Sequence, residues 1–72
     1  MEIDTKGMNC PLPILKAKKA INQIDIGDTL KVLATDPGSV EDFGVFCKTG
    51  GHELIESKET DGVYTYLIRK GR

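Results

Sequence analysis

Two prolines separated by a single residue, Pro11 and Pro13, determine where the first helix of this 72-residue chain can begin. Proline has no N–H group, so an α-helix accepts it only in the first turn, where N–H groups have no partner within the helix. The fixed φ of proline suits the first helical position, which we assign to Pro11. Apolar residues then recur at spacings of three and four, which predicts a helix over residues 11–24. Its inward stripe consists of Ile14, Ala17, Ala20, Ile21 and Ile24.

Cys10 directly precedes these prolines, at the positive end of the predicted helix. Backbone N–H groups point outward there without partners, and the helix macrodipole favours a thiolate over a thiol. The pKa of Cys10 is therefore expected below that of a free cysteine, and the thiolate is the nucleophilic form. Lys16, within two turns of Cys10, would support an anionic sulfur through space. The simpler alternative is a cysteine that caps the helix and has no chemistry.

The rest of the chain predicts three more strands and one more helix after a short first strand at residues 2–5. Asp61-Gly62 is a strong hairpin signal between the last two strands. Ser39 is a natural N-cap for the second helix, with Asp42 as a capping-box partner and Val40, Phe43 and Cys47 on its inward face. The predicted ranges are a strand at 29–35, a helix from 39 to the Gly50-Gly51 break, and strands at 52–58 and 63–70.

The order β-α-β-α-β-β predicts a two-layer α/β sandwich. Right-handed crossovers would place both helices on one face of a four-stranded mixed sheet. The other sheet face would be open to solvent or to a partner. Residues 1–72 would form a single domain, small enough that chemistry takes place at its surface on something delivered by another protein.

Composition excludes several classes of function. A net charge of −1 and a pI near 5.7 give no electrostatic signature for nucleic acid or lipid. No apolar stretch approaches the roughly 20 residues of a membrane helix, and no secretory leader is apparent. Cys10 and Cys47 lack metal-ligand spacing, so we expect no metal and no cofactor. We expect a monomer in the reducing cytoplasm that binds neither membrane nor nucleic acid.

Four other residues are interpreted as structural. Cys47 shares an apolar helical stripe, and a free cysteine in such a stripe behaves as a small buried hydrophobe. His52, the only histidine in the sequence, is more typical of a hydrogen-bonded structural residue than of an acid–base group here. Tyr64 and Tyr66 lie two apart on one strand face, which is typical of core residues.

The sequence resembles the TusA-like sulfur-carrier proteins. Cys10-Pro11-Leu12-Pro13 matches the Cys-Pro-x-Pro signature of that family, and Gly7 precedes it at the spacing that the family uses. The resemblance extends from residue 3 to residue 70. It continues in a second block made of Asp36-Pro37-Gly38-Ser39, Asp42-Phe43, Phe46-Cys47 and Gly51-His52-Glu53-Leu54.

This resemblance implies a two-layer fold and a sulfur relay, in which Cys10 carries sulfane sulfur as a persulfide. The chain would be a sulfur carrier rather than an enzyme that turns over a small substrate. The donor would be a cysteine desulfurase or a rhodanese-like protein, and the acceptor another sulfur-relay protein. Relatives feed tRNA thiolation, molybdenum-cofactor assembly or sulfur oxidation, and the chain does not distinguish these. The resemblance also suggests that the loop at Asp36 approaches Cys10.

The surface around Cys10 offers candidates for docking a partner. Met8, Leu12 and Leu15 would form a small apolar collar, while Lys16, Lys18 and Lys19 would form a basic edge that fits an acidic partner. Pro11, Pro13 and Lys16 are the residues expected to support the thiol. The alternative function is a non-catalytic interaction or regulatory module, in which Cys10 is only a structural cap and the open sheet face binds a partner.

Overall fold

The strand and helix order of the computed structural model, which describes residues 1–9 and 11–72, confirms the predicted mixed α/β fold. The elements are β1 (Glu2–Thr5), α1 (Leu12–Ile21), β2 (Thr29–Ala34), α2 (Ser39–Gly50), β3 (Glu53–Thr60) and β4 (Val63–Arg69). The four strands form one sheet in the order β1-β2-β4-β3. β1 and β2 are parallel, and the other two pairings are antiparallel.

The hydrophobic core lies between the two helices and one face of the sheet. Side chains alternate along β2 and β4, so every second residue points into this core and the others face the opposite side. The opposite face carries partly exposed and charged side chains, including Lys31, Glu56 and Lys58. The central buried residues of the two strands are Leu30, Val32, Ala34, Tyr66 and Ile68.

Helix α1 begins one residue later and ends three residues earlier than predicted. Pro11 occupies the N-cap, with φ of −99°, and Leu15 N donates to Pro11 O at 3.1 Å. At the other end, Gln23 N donates to Ala20 O at 2.9 Å, a tighter turn that closes the helix. Ile24 still packs against the core, so the inward stripe is longer than the helix itself.

Helix α2 corrects the prediction that Ser39 is its N-cap. Gly38 occupies the N-cap, and none of the described side chains caps the helix. Ser39 instead points inward, where its hydroxyl and the hydroxyl of Tyr66 lie 2.7 Å apart in a buried hydrogen bond. Because Ser39 takes the inward position of the first turn, Val40 is turned outward and is 48% exposed, contrary to the prediction.

The β3–β4 hairpin closes as the Asp61-Gly62 signal predicts. Asp61 and Gly62 have φ of 52° and 81°, and two central residues with positive φ define a type I′ turn. Gly62 N also donates to Glu59 Oε2 at 2.6 Å. Both tyrosines of β4 lie on the core face, with Tyr66 fully buried and Tyr64 half-buried. Their placement confirms the interpretation that they are core residues.

The C-terminal segment is held against the end of α2 by His52. The Nδ1 atom of His52 accepts a hydrogen bond from Gly71 N at 3.1 Å, and its ring lies 5.6 Å from that of Phe46. A side chain at Gly71 would overlap the carbonyl oxygen of Gly51. Burial, followed by the neighbouring charges of Lys70 and Arg72, lowers the pKa of His52 below 6.5. His52 is therefore a structural hydrogen-bond acceptor.

Stability is expected to fall as the pH drops through the range of His52 titration. His52 of the unfolded chain binds a proton near pH 6.5, whereas His52 of the folded protein binds it only at lower pH. The contribution of His52 to the free energy of unfolding is therefore complete above that pH and is lost as the pH falls below it. The free energy of unfolding from urea titrations at pH 7.5 and 5.5 measures this loss. His52→Gln, which cannot titrate, should lose less free energy of unfolding between these two pH values. Equal losses in the variant and the wild type would contradict the assignment of this pH dependence to His52.

Tyr66→Phe should lower the free energy of unfolding by about 1 to 3 kcal/mol, because it leaves the buried Ser39 hydroxyl without its partner. Tyr64→Phe is the matched control on the same strand face and should cost less, since Tyr64 is only half-buried. Urea unfolding measures both. The double variant Ser39→Ala/Tyr66→Phe should cost less than the sum of its two single changes; an additive result would show that the pair is not coupled.

Candidate functional site

The candidate site lies at the sheet edge where the parallel strands β1 and β2 both end. Each strand is followed by a loop and then by a helix on the same face, so the first turns of α1 and α2 lie at this edge. We call residues 6–11 the thiol loop and residues 35–38 the second loop. Gly7 N donates to Thr35 Oγ1 at 2.9 Å, which joins the two loops.

Two backbone hydrogen bonds shape the described part of the thiol loop. Met8 N donates to Thr5 O at 3.1 Å across a turn in which Gly7 has φ of +82°, a value that favours glycine. Leu12 N donates to Asn9 O at 2.9 Å. Cys10 itself lies outside the described residues, so its assignment as the reactive thiol remains a prediction from the sequence.

The start of α1 offers fewer outward N–H groups than a helix terminus usually does. Pro11 and Pro13 have none, and the N–H of Leu12 is taken by Asn9 O. Ile14 is thus the first position of the helix with an N–H that is not removed by proline or bonded to Asn9. The expectation of several unpartnered N–H groups at the helix start is therefore wrong. The aligned peptide dipoles of α1 are what still favours a negative charge there.

The two prolines of the signature have different surroundings. Pro13 is fully buried and anchors the first turn of α1 in the core. Pro11 is exposed and lies at one end of a groove between the two helices. The groove has a volume of about 290 Å³. It is lined by Pro11, Ile14, Lys18, Glu41, Asp42, Val45, Phe46 and Thr49.

The predicted docking residues of α1 fall on its solvent side rather than in this groove, except Lys18 of the basic edge, which lines the groove. Leu12 and Leu15 are 51% and 53% exposed, one helical turn apart. Lys16 and Lys19 are likewise exposed and one turn apart, and Met8 in the thiol loop is half-buried. The structure thus presents an apolar pair and a basic pair on α1.

The acidic wall of the groove was missed by the sequence analysis. Glu41 and Asp42 lie in the first turn of α2, opposite Lys18 of α1. Val45, exposed to 54%, adds an apolar side chain between them. The acidic first turn of α2 is readable from the sequence, but which α1 residues face it depends on how the helices pack.

Cys47 is a poor candidate for chemistry. Its side chain is buried in the core beside Phe43 and Phe46, and only 4% of it is exposed. Burial raises the pKa of the Cys47 thiol to about 11, because the surrounding apolar groups disfavour the thiolate. The prediction that this cysteine is structural agrees with that environment.

Two further kinds of site were sought in the part of the chain that the structure describes. Residues 1–9 and 11–72 contain no group of three or more His, Cys, Asp or Glu side chains arranged to hold a metal ion. No helix in the same ranges is long and apolar enough to cross a membrane.

Comparison with known proteins identifies the family. The model of the family described as sulfurtransferase TusA matches residues 1–70, so the chain belongs to the TusA family. The sulfur carrier protein TusA of Allochromatium vinosum is 56% identical over 96% of this chain and 91% of its own length. The sulfur carrier protein TusA of Pseudomonas aeruginosa is 43% identical over 94% of this chain and 86% of its own length.

A solved structure confirms the fold. The crystal structure of a SirA-like protein from Desulfitobacterium hafniense superposes with a TM-score of 0.86 at 30% sequence identity. The match covers 99% of this chain and 97% of that one. The resemblance drawn from the Cys-Pro-x-Pro signature and the second block is therefore confirmed at the level of family and fold.

Alkylation should modify Cys10 before Cys47, because Cys47 is buried and its pKa is raised to about 11. Brief treatment with iodoacetamide at neutral pH, followed by trypsin, separates the two thiols into peptides 7–16 and 32–48. The modified fraction of each peptide gives the order of reaction. In denaturant the two fractions should become similar, and preferential modification of peptide 32–48 in the folded protein would contradict the assignment.

Proposed function

We propose that this protein carries sulfane sulfur as a persulfide on Cys10, between a donor enzyme and an acceptor protein thiol. The observation that carries the proposal is the family match across residues 1–70, which includes the complete Cys-Pro-x-Pro signature. The relatives that support it are named sulfur carrier proteins. The donor would be a cysteine desulfurase or a rhodanese-like protein, acting in the reducing cytoplasm, and the acceptor another sulfur-relay protein.

The chemistry is a pair of thiol–persulfide exchanges that need no external oxidant. The Cys10 thiolate attacks the outer sulfur of the donor persulfide, a bond forms between Cys10 Sγ and that sulfur, and the donor thiolate leaves. The acceptor thiolate then attacks the outer sulfur of the Cys10 persulfide, and the Cys10 thiolate leaves. Each step breaks one sulfur–sulfur bond and forms another, so the protein is unchanged after one relay.

The surroundings of the thiol loop support this role. The aligned peptides of α1 favour negative charge at its start, as both the thiolate and the persulfide anion require. Pro13, buried in the core, holds the first helical turn in place. The second cysteine of the chain is buried, so a thiol that could attack the Cys10 persulfide prematurely is kept away from the surface.

The exposed side of α1 would fit a partner whose surface has an apolar centre surrounded by acidic side chains. Leu12 and Leu15 provide the apolar pair, and Lys16 and Lys19 provide two positive charges on the same helix. Such a surface would increase the rate of encounter with an acidic partner and orient it toward the start of α1. Leu12 and Lys16 also lie near Cys10 in the sequence, so a partner seated here would bring its own thiol to the transfer site.

The alternative of an interaction module on the open sheet face is less well supported. Charged side chains on that face lie close to opposite charges of the same chain. Lys58 Nζ is 3.1 Å from Glu56 Oε1, Lys31 Nζ is 3.8 Å from Glu2 Oε1, and Arg69 pairs with Glu53. A partner docking there would have to displace or desolvate these pairs, which costs free energy.

Sulfur loading tests the proposal directly. Incubation with a cysteine desulfurase and cysteine should increase the intact mass by that of one sulfur atom, and a reductant should reverse the gain, because a persulfide is an exchangeable sulfur–sulfur bond. Cys10→Ser should lose the gain and keep the fold. No gain in the wild-type protein with desulfurase or rhodanese-type donors would favour the interaction module.

Cys47→Ser is the matched control. It should retain the mass gain but lose stability, because a buried hydroxyl at position 47 needs a hydrogen-bond partner. Circular dichroism and urea unfolding of both variants separate loss of the fold from loss of the thiol. Loading that survives in Cys10→Ser and disappears in Cys47→Ser would reverse the roles of the two cysteines.

A further inference from the structure

We propose that Thr35 is a positioning residue for Cys10, an inference that rests on the sulfur-carrier function proposed above. Thr35 follows β2 and is half-buried. Its hydroxyl oxygen accepts the hydrogen bond from Gly7 N at 2.9 Å. Gly7 lies only three residues before Cys10 in the sequence, so this bond acts on the thiol loop close to the reactive residue.

The hydrogen bonds of the thiol loop divide into two kinds. The bonds from Met8 N to Thr5 O and from Leu12 N to Asn9 O join residues three apart and determine the local shape of the loop. Lys6 N donates to Asp4 Oδ1, again within the same segment. Among the described residues 6–9, Gly7 donates the one hydrogen bond that reaches a distant part of the chain, 28 residues away. This bond therefore ties the described part of the loop to the second loop.

Thr35 is held by a rigid part of the molecule. Ala34, the residue before it, is fully buried and pairs with Thr5 of β1 and with Tyr64 of β4. The next loop residues are also tied down, since Ser39 N donates to Asp36 O at 2.9 Å. Gly7 consequently bonds to an acceptor that moves little.

The chemical consequence follows from the short range of the helix field. The stabilisation of an anion at a helix start falls off within the first turn, so a thiol that moves away from it regains an ordinary pKa and loses reactivity. The orientation for attack on a donor persulfide is lost at the same time, and a misplacement of about 1 Å can lower a rate as much as 100-fold. Among the described residues, the hydroxyl of Thr35 reaches the thiol loop through Gly7.

Three variants separate the hydrogen bond from the shape of the side chain. Thr35→Val keeps the branched shape and removes the acceptor, whereas Thr35→Ser keeps the acceptor. Thr29→Val, at the opposite end of the same strand, is the matched control, since Thr29 is exposed and distant from the thiol loop in the sequence. The readouts are the rate of Cys10 alkylation from pH 5 to 10, read on peptide 7–16, and the rate of sulfur loading by a cysteine desulfurase.

Thr35→Val should shift the alkylation profile of Cys10 to higher pH and slow sulfur loading about 3- to 10-fold, within the range that a small misplacement produces. Thr35→Ser should stay within about twofold of the wild-type rates, because serine retains the acceptor for the hydrogen bond from Gly7 N. Thr29→Val should match the wild type in both assays. Unchanged pH profiles and loading in a folded Thr35→Val protein would overturn the proposal, even if its melting temperature fell. Equal effects of Thr35→Val and Thr35→Ser would overturn it as well, because only one of these two variants lacks the hydrogen-bond acceptor.

The alkylation readout also separates this inference from the sulfur-carrier proposal. Alkylation requires only a reactive thiol, so a shifted profile in Thr35→Val would support positioning even if the wild-type protein took up no sulfur. The opposite result is also possible to recognise. If the wild type loads sulfur normally and Thr35→Val matches it in both assays, the carrier function is supported and the role of Thr35 is rejected.

Discussion

The parallel pairing of β1 with β2 is the constraint on which the rest of the site depends. The register from Glu2 opposite Lys31 to Thr5 opposite Ala34 ends both strands at the same sheet edge. Because each strand is followed by a helix on the same face, this one pairing also places the first turns of α1 and α2 together. A chain in which these strands were antiparallel would place the two helix starts at opposite edges, and the contact between Gly7 and Thr35 could not form.

The core beneath this edge combines apolar packing with polar groups that are paired. Tyr66 stacks on Phe43, with ring centroids 4.6 Å apart, and its hydroxyl bonds to that of Ser39. Thr5 is also fully buried, and its hydroxyl donates to Leu33 O at 2.5 Å. No buried side-chain nitrogen or oxygen of the described residues lacks a partner. Since a buried polar group is stable only when it is hydrogen-bonded, these pairs favour one arrangement of the strands and helices.

The two cysteines are proposed to have different roles. Cys47 lies among Phe43 and Phe46, where burial disfavours its thiolate. Cys10 directly precedes Pro11, the N-cap of α1, in the sequence. The function proposed above assigns thiol chemistry to Cys10 alone, and the burial of Cys47 is consistent with that assignment.

The sequence alone was sufficient for the order of the elements, the family, the hairpin turn and the roles proposed for the two cysteines. These follow from short-range features: proline restricts the helix start, Asp61-Gly62 favours positive φ, and apolar spacing marks the inward faces. Ser39 was assigned wrongly, because a serine at a helix start normally caps it, and only the position of Tyr66 on a distant strand draws the hydroxyl inward. The bond from Gly7 to Thr35 and the groove between Lys18 and Glu41 were likewise decided by the tertiary structure, since each joins residues more than 20 positions apart that become neighbours only when the sheet and helices pack.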